Sequence, residues 1–320
     1  MSVDRILLVS LDNLGDMVFA SALAPPLRER FPQATLDIWC KEYTADVARL
    51  VPGVTNVIAS DPFWDRAPGR SKGSRRSFFR AMREIRARRY DVAVLAAAPW
   101  RTAAAVAWTR IPVRIGLHRR KNGAFLTEAL PDENARVPVL SELARLLSPL
   151  GVTPRPLRYR LDPATLTARR ARLATTIPRP YAALHPFASK QSRCVALPIW
   201  IELAHQLRAR ERSILWVGTH AELDSVRASP NDAAWRFVDR DSDGTLADTA
   251  AALCGASLFI GHDSGPLHIA GALGVPVVGI FAPGEPLRTL PQGIGPSRML
   301  ARPSPVGITA GDILHEVDAL

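Results

Sequence analysis

Short runs of β-branched and other apolar residues alternate along this chain with longer stretches whose apolar positions recur at helical spacing. In the first half the runs are Ile6–Ser10, Thr35–Trp39, Val54–Ala59, Val92–Ala96 and Val113–Gly116. Between and after them the pattern predicts helices over Met17–Arg30, Tyr43–Leu50, Arg75–Arg88, Thr102–Thr109 and Val139–Leu150. The second half repeats the scheme. Its strands are expected at Tyr181–His185, Ser213–Val217, Trp235–Val238, Ser257–Ile260 and Val275–Ile280, and its helices at Ile199–Ala209, Ala221–Arg227, Thr245–Leu253, Pro266–Leu273 and Thr309–Leu320. Strands apolar on both faces are strands buried between helix layers. Alternation with helices predicts parallel sheets joined by right-handed crossovers.

Between the two halves, Gly151–Pro163 carries Pro154, Pro156 and Pro163 with little apolar periodicity, as a linker does. The expected fold is therefore α/β, with two Rossmann-like domains at 1–155 and 156–320 and their sheets facing across a cleft. The terminal helix is a candidate to pack back on the first domain. In open α/β sheets ligands bind at the carboxyl ends of the strands, so functional residues are sought in the loops that leave them.

Composition narrows the class. The chain has 320 residues, 47% of them hydrophobic and 22% charged, which suits two globular domains and excludes a disordered or fibrous chain. The most apolar stretch, Val92–Trp108, is broken by Pro99 and Arg101 and falls short of the ~20 residues of a spanning helix. The N-terminus enters a strand without a signal-peptide pattern. Three scattered cysteines build neither a disulfide framework nor a zinc site, and a reducing cytoplasm is the expected location.

Charge adds a partner class. Residues 1–160 carry 26 Lys/Arg against 15 Asp/Glu, and residues 161–320 carry 15 of each, so the whole excess of +11 lies in the first half. It is densest over Arg66–Arg89, with a second cluster at Arg119, Arg120 and Lys121. A one-sided basic excess suits a multiply anionic partner such as a phosphorylated glycan or an anionic membrane surface. Nucleic acid is not expected, since zinc-finger spacing, RNP-like strands and basic-region heptads are all missing. Trp64, Phe78 and Phe79 lie in the basic stretch, and either touch an anionic leaflet or belong to the core.

The candidate chemistry follows the strands. After Ile6–Ser10 comes Leu11-Asp12-Asn13-Leu14-Gly15-Asp16. Asp16 at the helix start is either a cap or a general base for a substrate hydroxyl. Without G-x-G-x-x-G the loop is not a dinucleotide fingerprint. Late in the chain, Gly261-His262-Asp263-Ser264-Gly265-Pro266-Leu267-His268 runs from a strand through a polar turn into a helix. Exposed amides at that helix start suit a diphosphate, with Ser264 and His268 beside them. Between these, His185–Arg193 offers Ser189, Lys190 and Arg193 to phosphate oxygens. Glu222, after a further strand, is either a ribose ligand or a helix-start acid.

Asn13-Leu14-Gly15-Asp16 and Gly261–His268 at this separation resemble the ADP-heptose:lipopolysaccharide heptosyltransferases, glycosyltransferase family 9, and the resemblance runs from Ile6 to beyond Gly284. It implies a GT-B fold, with the acceptor on the first domain and the nucleotide-sugar on the second. It implies inverting transfer without a metal or resident cofactor, ADP-heptose being a co-substrate. It makes Asp16 the base and places Asp263, Ser264, Gly265, His268 and the ribose-binding Glu222 at the donor. Asn13, Arg119 and Arg120 fall to the acceptor, an anionic glycan or glycolipid such as the lipopolysaccharide core, with peripheral contact at the inner membrane. The family commonly has Lys-Arg/His-Trp-Pro where this chain has Arg193-Cys194-Val195-Ala196. Arg193 then supplies the phosphate cation, with Lys190 as the second candidate, although Arg and Lys are not equal exchanges. Alternatives are glycosyl transfer to a small metabolite, a GT-B-like nucleotide-sugar epimerase, and an anionic-glycolipid-binding protein without chemistry.

Overall fold

The computed structural model describes residues 3–65, 72–132, 137–153, 155–229, 233–239, 245–284 and 286–320. Arg66 and Arg70 of the basic stretch, Pro154 of the linker and Glu285 lie outside the described residues. The chain divides into two compact units, Met1–Tyr159 and Arg160–Leu320.

The first unit runs β1 (Arg5–Ser10), α1 (Leu14–Ser21), α2 (Ala24–Arg30), β2 (Thr35–Cys40), α3 (Ala45–Ala48), β3 (Asn56–Ala59), α4 (Arg75–Arg88), β4 (Val92–Leu95), α5 (Trp100–Trp108), β5 (Val113–His118), β6 (Glu128–Pro131) and α6 (Val139–Arg145). Its strands form one parallel sheet in the order β3-β2-β1-β4-β5-β6. The second unit runs α7 (Thr167–Ala174), β7 (Tyr181–His185), α8 (Leu197–Ala209), β8 (Ser213–Gly218), α9 (His220–Arg227), β9 (Arg236–Asp239), α10 (Leu246–Cys254), β10 (Leu258–His262), α11 (Gly265–Ala272), β11 (Val277–Phe281), α12 (Pro286–Thr289), β12 (Ser297–Ala301) and α13 (Ala310–Asp318). Its parallel sheet has the same connectivity, β12-β11-β10-β7-β8-β9. In each unit the winding reverses at the first strand, between β1 and β4 and between β7 and β10.

The expected α/β architecture is present, with two differences of physical origin. The helix predicted over Met17–Arg30 is two helices. Pro25 and Pro26 have no N–H to bond back into the preceding turn, so they fit only the first turn of a new helix, α2. Strands β6 and β12 escaped the hydrophobic pattern because they are edge strands, largely exposed, and β6 ends on Pro131. Helix α13 packs on α8, β11 and β12 of its own unit. Among the described residues no helix is long and apolar enough to cross a membrane.

Each sheet is sealed by its own core. Strands β4, β7, β10 and β11 are buried at every position. In the second unit Trp200 and Trp216 have no exposed surface and join the apolar faces of α8, α9 and α13. In the first, Trp39 packs on Phe78 and donates its indole N–H to Ser60 at 2.8 Å. Phe78 is therefore core. Phe79, its neighbour on α4, is 41% exposed and lies among the exposed Arg76, Arg80 and Arg83.

One buried charge braces the first sheet. Asp37 on β2 is 2% exposed. It accepts from Tyr90 at 2.5 Å, Arg88 at 2.8 Å and Asn56 at 3.0 Å. Burial, and then the bond to Asp37, push the Tyr90 phenol far above its ordinary range, so it stays protonated as the donor. Tyr90→Phe is expected to lower stability by about 1–2 kcal/mol, the cost of a lost bond to a buried carboxylate. Thermal unfolding of the variant checks this, and an unchanged Tm would contradict the role.

Candidate functional site

Parallel strands deliver all their outgoing loops to one edge of a sheet. In the first unit the order β3-β2-β1-β4 sets side by side the residues after β3 (Asp65), β2 (Lys41), β1 (Asp12 to Asp16) and β4 (Pro99 to Thr102). Asn13 is the N-cap of α1, and Asp16 occupies the third helical position. The backbone N–H of Asn13 points to both acids, at 3.0 Å from Asp12 Oδ1 and 3.2 Å from Asp16 Oδ2. Asp16 is thus not the cap but its carboxylate partner in the first turn. Half-buried, and sharing one donor with a second carboxylate, it is pushed up to about 7, by burial first and by Asp12 next. Lys41 pulls weakly the other way. Its ammonium, 3% exposed, is bound to Asp65 at 2.6 Å.

A cavity of about 260 Å³ opens in this unit between Asp12, Trp64, Asp65, Trp100, Arg101 and Thr102. Arg119 and Arg120, two strands along after β5, stand in a different setting. Arg119 binds Asp132 at 2.8 Å and reaches Glu142 at 3.5 Å. Arg120 is exposed and left-handed, with φ of 48°. Their turn is fixed by fully buried Asn122, which donates to the Ala98 and Leu117 carbonyls and accepts from the Arg119 N–H.

In the second unit the order β10-β7-β8 gathers the turn at Asp263–His268, the loop at Ser189–Arg193 and Glu222. Ser264 caps α11, and its hydroxyl lies 3.1 Å from the His262 carbonyl and 3.2 Å from His185 Nδ1, across the reversal point. Asp263 accepts from Thr289 at 3.2 Å and lies 3.4 Å from His268 Nε2. His268 is 2% exposed and turned toward that carboxylate. Gly265 opens α11, so its amide N–H has no intrahelical acceptor, as at the start of every helix, and Pro266 brings no N–H of its own.

Ser189 and Lys190 are exposed and Arg193 is half-buried, closing a 3₁₀ turn. The Val195 N–H behind them donates to His262 Nε2 at 3.2 Å. Burial, with His185 next, pushes His262 down to about 4, so its ring is neutral and keeps Nε2 as an acceptor. Glu222 is the third residue of α9, where its Oε2 accepts from the Thr219 N–H at 2.8 Å and hydroxyl at 2.9 Å. The helix-start reading of Glu222 therefore holds geometrically. Gly218 keeps the loops close, for a Cβ there would lie 3.1 Å from Phe187 of the neighbouring loop.

Comparison with known proteins identifies the family. Residues 78–300 match the family model of glycosyltransferase family 9 (heptosyltransferase). The chain belongs to glycosyltransferase family 9. It is a glycosyltransferase of the heptosyltransferase type. It is similar to lipopolysaccharide heptosyltransferase 2 of Salmonella typhimurium, 24% identical over 302 residues that cover 90% of this chain and 85% of the relative. Its fold is similar to Escherichia coli ADP-heptose lipopolysaccharide heptosyltransferase II, with a TM-score of 0.81 at 19% identity over 98% of each chain. It is also similar to an Escherichia coli heptosyltransferase solved with ADP, with a TM-score of 0.79 at 18% identity over 98% of this chain and 99% of that one.

Sequence reasoning passed over Lys41, Asp65, Trp100 and Asn122. All four lie within a few residues of a strand end, which places them in outgoing loops but does not say which loops are neighbours.

The raised pKa of Asp16 has a consequence for stability. The folded state holds this proton to higher pH than the unfolded chain, so the ionised form is a cost of folding above about pH 7 that fades as pH falls toward the ordinary value of 3.8. Asp16→Asn keeps an acceptor for Asn13 without the charge. Its Tm is expected to exceed that of the wild type at pH 8, by an amount that shrinks toward pH 5. A lower Tm at pH 8 would contradict the assigned cause.

Proposed function

We propose that this glycosyltransferase moves a heptose from ADP-heptose to a hydroxyl of an anionic glycan or glycolipid of the lipopolysaccharide core type, with inversion and without a metal. The observation that carries the reading is the Asn13-to-Asp16 turn, where a half-buried carboxylate with a pKa of about 7 stands ready to exchange a proton near neutrality. The acceptor oxygen attacks the anomeric carbon, the bond from that carbon to the diphosphate breaks with its electron pair leaving on ADP, and Asp16 takes the acceptor's proton. The paired N–H and second carboxylate fix its position and its affinity for that proton.

The second unit receives the donor. Diphosphate charge is met by the Ser264 hydroxyl, the Gly265 amide at the start of α11, and a cation from Arg193 or Lys190. Ser189, Asp263 and His268 border the same turn, and Glu222 faces the ribose with the oxygen its cap does not use. In this reading Asn13 and Arg120 meet the acceptor, while Arg119 meets it only by loosening its bonds to Asp132 and Glu142. The exposed Arg76, Arg80 and Arg83 around Phe79 suit the anionic part of such an acceptor, or the leaflet that carries it. The similarity to a heptosyltransferase solved with ADP supports adenine over other bases.

Three outcomes are expected. ADP should raise the Tm of the full chain more than UDP or GDP at equal concentration, and a preference for either of those would displace the donor. Asp16→Asn should cut turnover by about 10²–10⁴-fold with the ADP-induced shift intact, and wild-type turnover would remove Asp16 from its role. The wild-type rate should rise through about pH 7 as Asp16 ionises, and Asp12→Asn, by removing a like charge, should move that rise to lower pH.

A further inference from the structure

The amino edge of the first sheet carries a second cavity, remote from the loops that leave the strands. Strands β4 and β5 are neighbours, and the segments that enter them run side by side, the Val113 N–H donating to the Asp91 carbonyl at 3.2 Å. A cavity of about 440 Å³ opens where α4 and α5 hand the chain to these strands. Its lining includes the buried Tyr90 and Ile111 and three arginines, Arg86, Arg89 and Arg110. The four residues of β4, at about 3.3 Å each, separate it from the carboxyl edge.

Basic residues are ordinary at helix C-termini, where they complement the peptide dipoles. These three do more than that. Among the described residues none of their side chains bonds a carbonyl or a carboxylate. The Arg86 guanidinium lies over the Trp108 ring, 5.2 Å from its centroid, and that indole is 46% exposed. Stacking occupies the face of a guanidinium and leaves its N–H edge for an acceptor. Arg89 and Arg110 each follow a helix in the left-handed conformation, with φ of 52° and 65°. Glycine makes such a turn without strain, yet both positions hold arginine. The opposing charges are already met. Asp91, the one acid of the lining, accepts at Oδ2 from the Asp4 and Arg5 N–H groups at 2.8 and 2.9 Å. The end of α4 is met by the Arg5 guanidinium, which donates to the Arg88 carbonyl at 2.7 Å. Arg114 does the same for the Ile111 carbonyl at 2.6 Å.

We propose that this cavity is a binding site for a phosphate monoester, separate from the carboxyl-edge loops, with Arg86, Arg89 and Arg110 on the phosphate and the attached carbon skeleton against Tyr90 and Ile111. Guanidiniums match phosphate oxygens in two-pronged, charge-assisted hydrogen bonds. The volume falls within the ~300–1,000 Å³ of small-molecule sites, so a phosphate enters together with the group that carries it. The carrier is either a soluble metabolite or a lipid whose headgroup is the monoester, and the chemistry recognised is the same.

The test uses the full chain with two probes. Glycerol 3-phosphate is titrated by calorimetry, and phosphatidylcholine vesicles with and without phosphatidic acid are used in co-sedimentation. Binding of glycerol 3-phosphate supports a soluble ligand, and binding only to the vesicles with phosphatidic acid supports a lipid headgroup. In either case the double variant Arg89→Gly, Arg110→Gly should bind the same probe at least about tenfold more weakly. Its Tm without ligand should stay close to that of the wild type, because glycine suits both turns. The double variant Arg89→Lys, Arg110→Lys keeps the charge without the planar fork and should recover only part of the affinity. Failure of both probes to bind the wild type would overturn the proposal. Undiminished binding by the glycine variant would place the phosphate elsewhere, such as the turn at Ser264, and would overturn it too. Full affinity in the lysine variant would reduce the site to diffuse attraction and would equally count against it.

Discussion

A central parallel strand, hydrogen-bonded on both sides, is the constraint on which this molecule depends. Strand β1 pairs with β2 and β4, and β7 pairs with β8 and β10, each over at least four residues in parallel register. The chain can leave such a strand only at its carboxyl end. There the crossover to one side and the crossover to the other diverge and open a gap between their loops. In the first unit that gap holds Asp12, Asp16 and the Trp100 loop. In the second it holds His185, Ser264 and the start of α11. The candidate site residues of both units gather at the places where the winding reverses.

The acid at the first of these places illustrates how position creates reactivity. Asp16 is an ordinary first-turn carboxylate by location, bonded back to the N-cap amide. Its pKa is pushed up to about 7 because burial, and then the neighbouring charge of Asp12, disfavour its ionised form. In the proposed reaction this bond and base catalysis are not rival roles, since one carboxylate oxygen accepts the N-cap N–H while the group's ionisation would serve the proton transfer. Glu222 repeats the geometry at α9 with two donors on one oxygen.

The arginine excess of the first half divides once the fold is known. Some of it is internal bracing. Arg88 holds Asp37, Arg119 holds Asp132, and Arg114 bonds the carbonyls of Ile111 and Phe125. Another part is the exposed row on α4. A net charge computed along the chain adds these together, although a paired guanidinium has little attraction left for a partner while an exposed one keeps it. The aromatic-and-acid cavity lies amid this basic surface with its own, different balance.

The sequence by itself determined the α/β class, most of the strands and helices, and the two motifs from which the family was read. These depend on local properties, namely the apolar run of a buried strand, the punctuation of Gly and Pro, and a short polar turn between strand and helix. It missed β6 and β12, because an edge strand with one bonded neighbour and exposed side chains need not be apolar. It could not separate Arg119 from Arg120, or find Lys41, Asp65 and Trp100 as neighbours of Asp12. Those residues lie far apart along the chain and meet only because the strand order β3-β2-β1-β4 sets their loops side by side. Which charges are matched, which carboxylate holds its proton, and which tryptophan faces open space follow from burial and distance, and only the folded chain sets those.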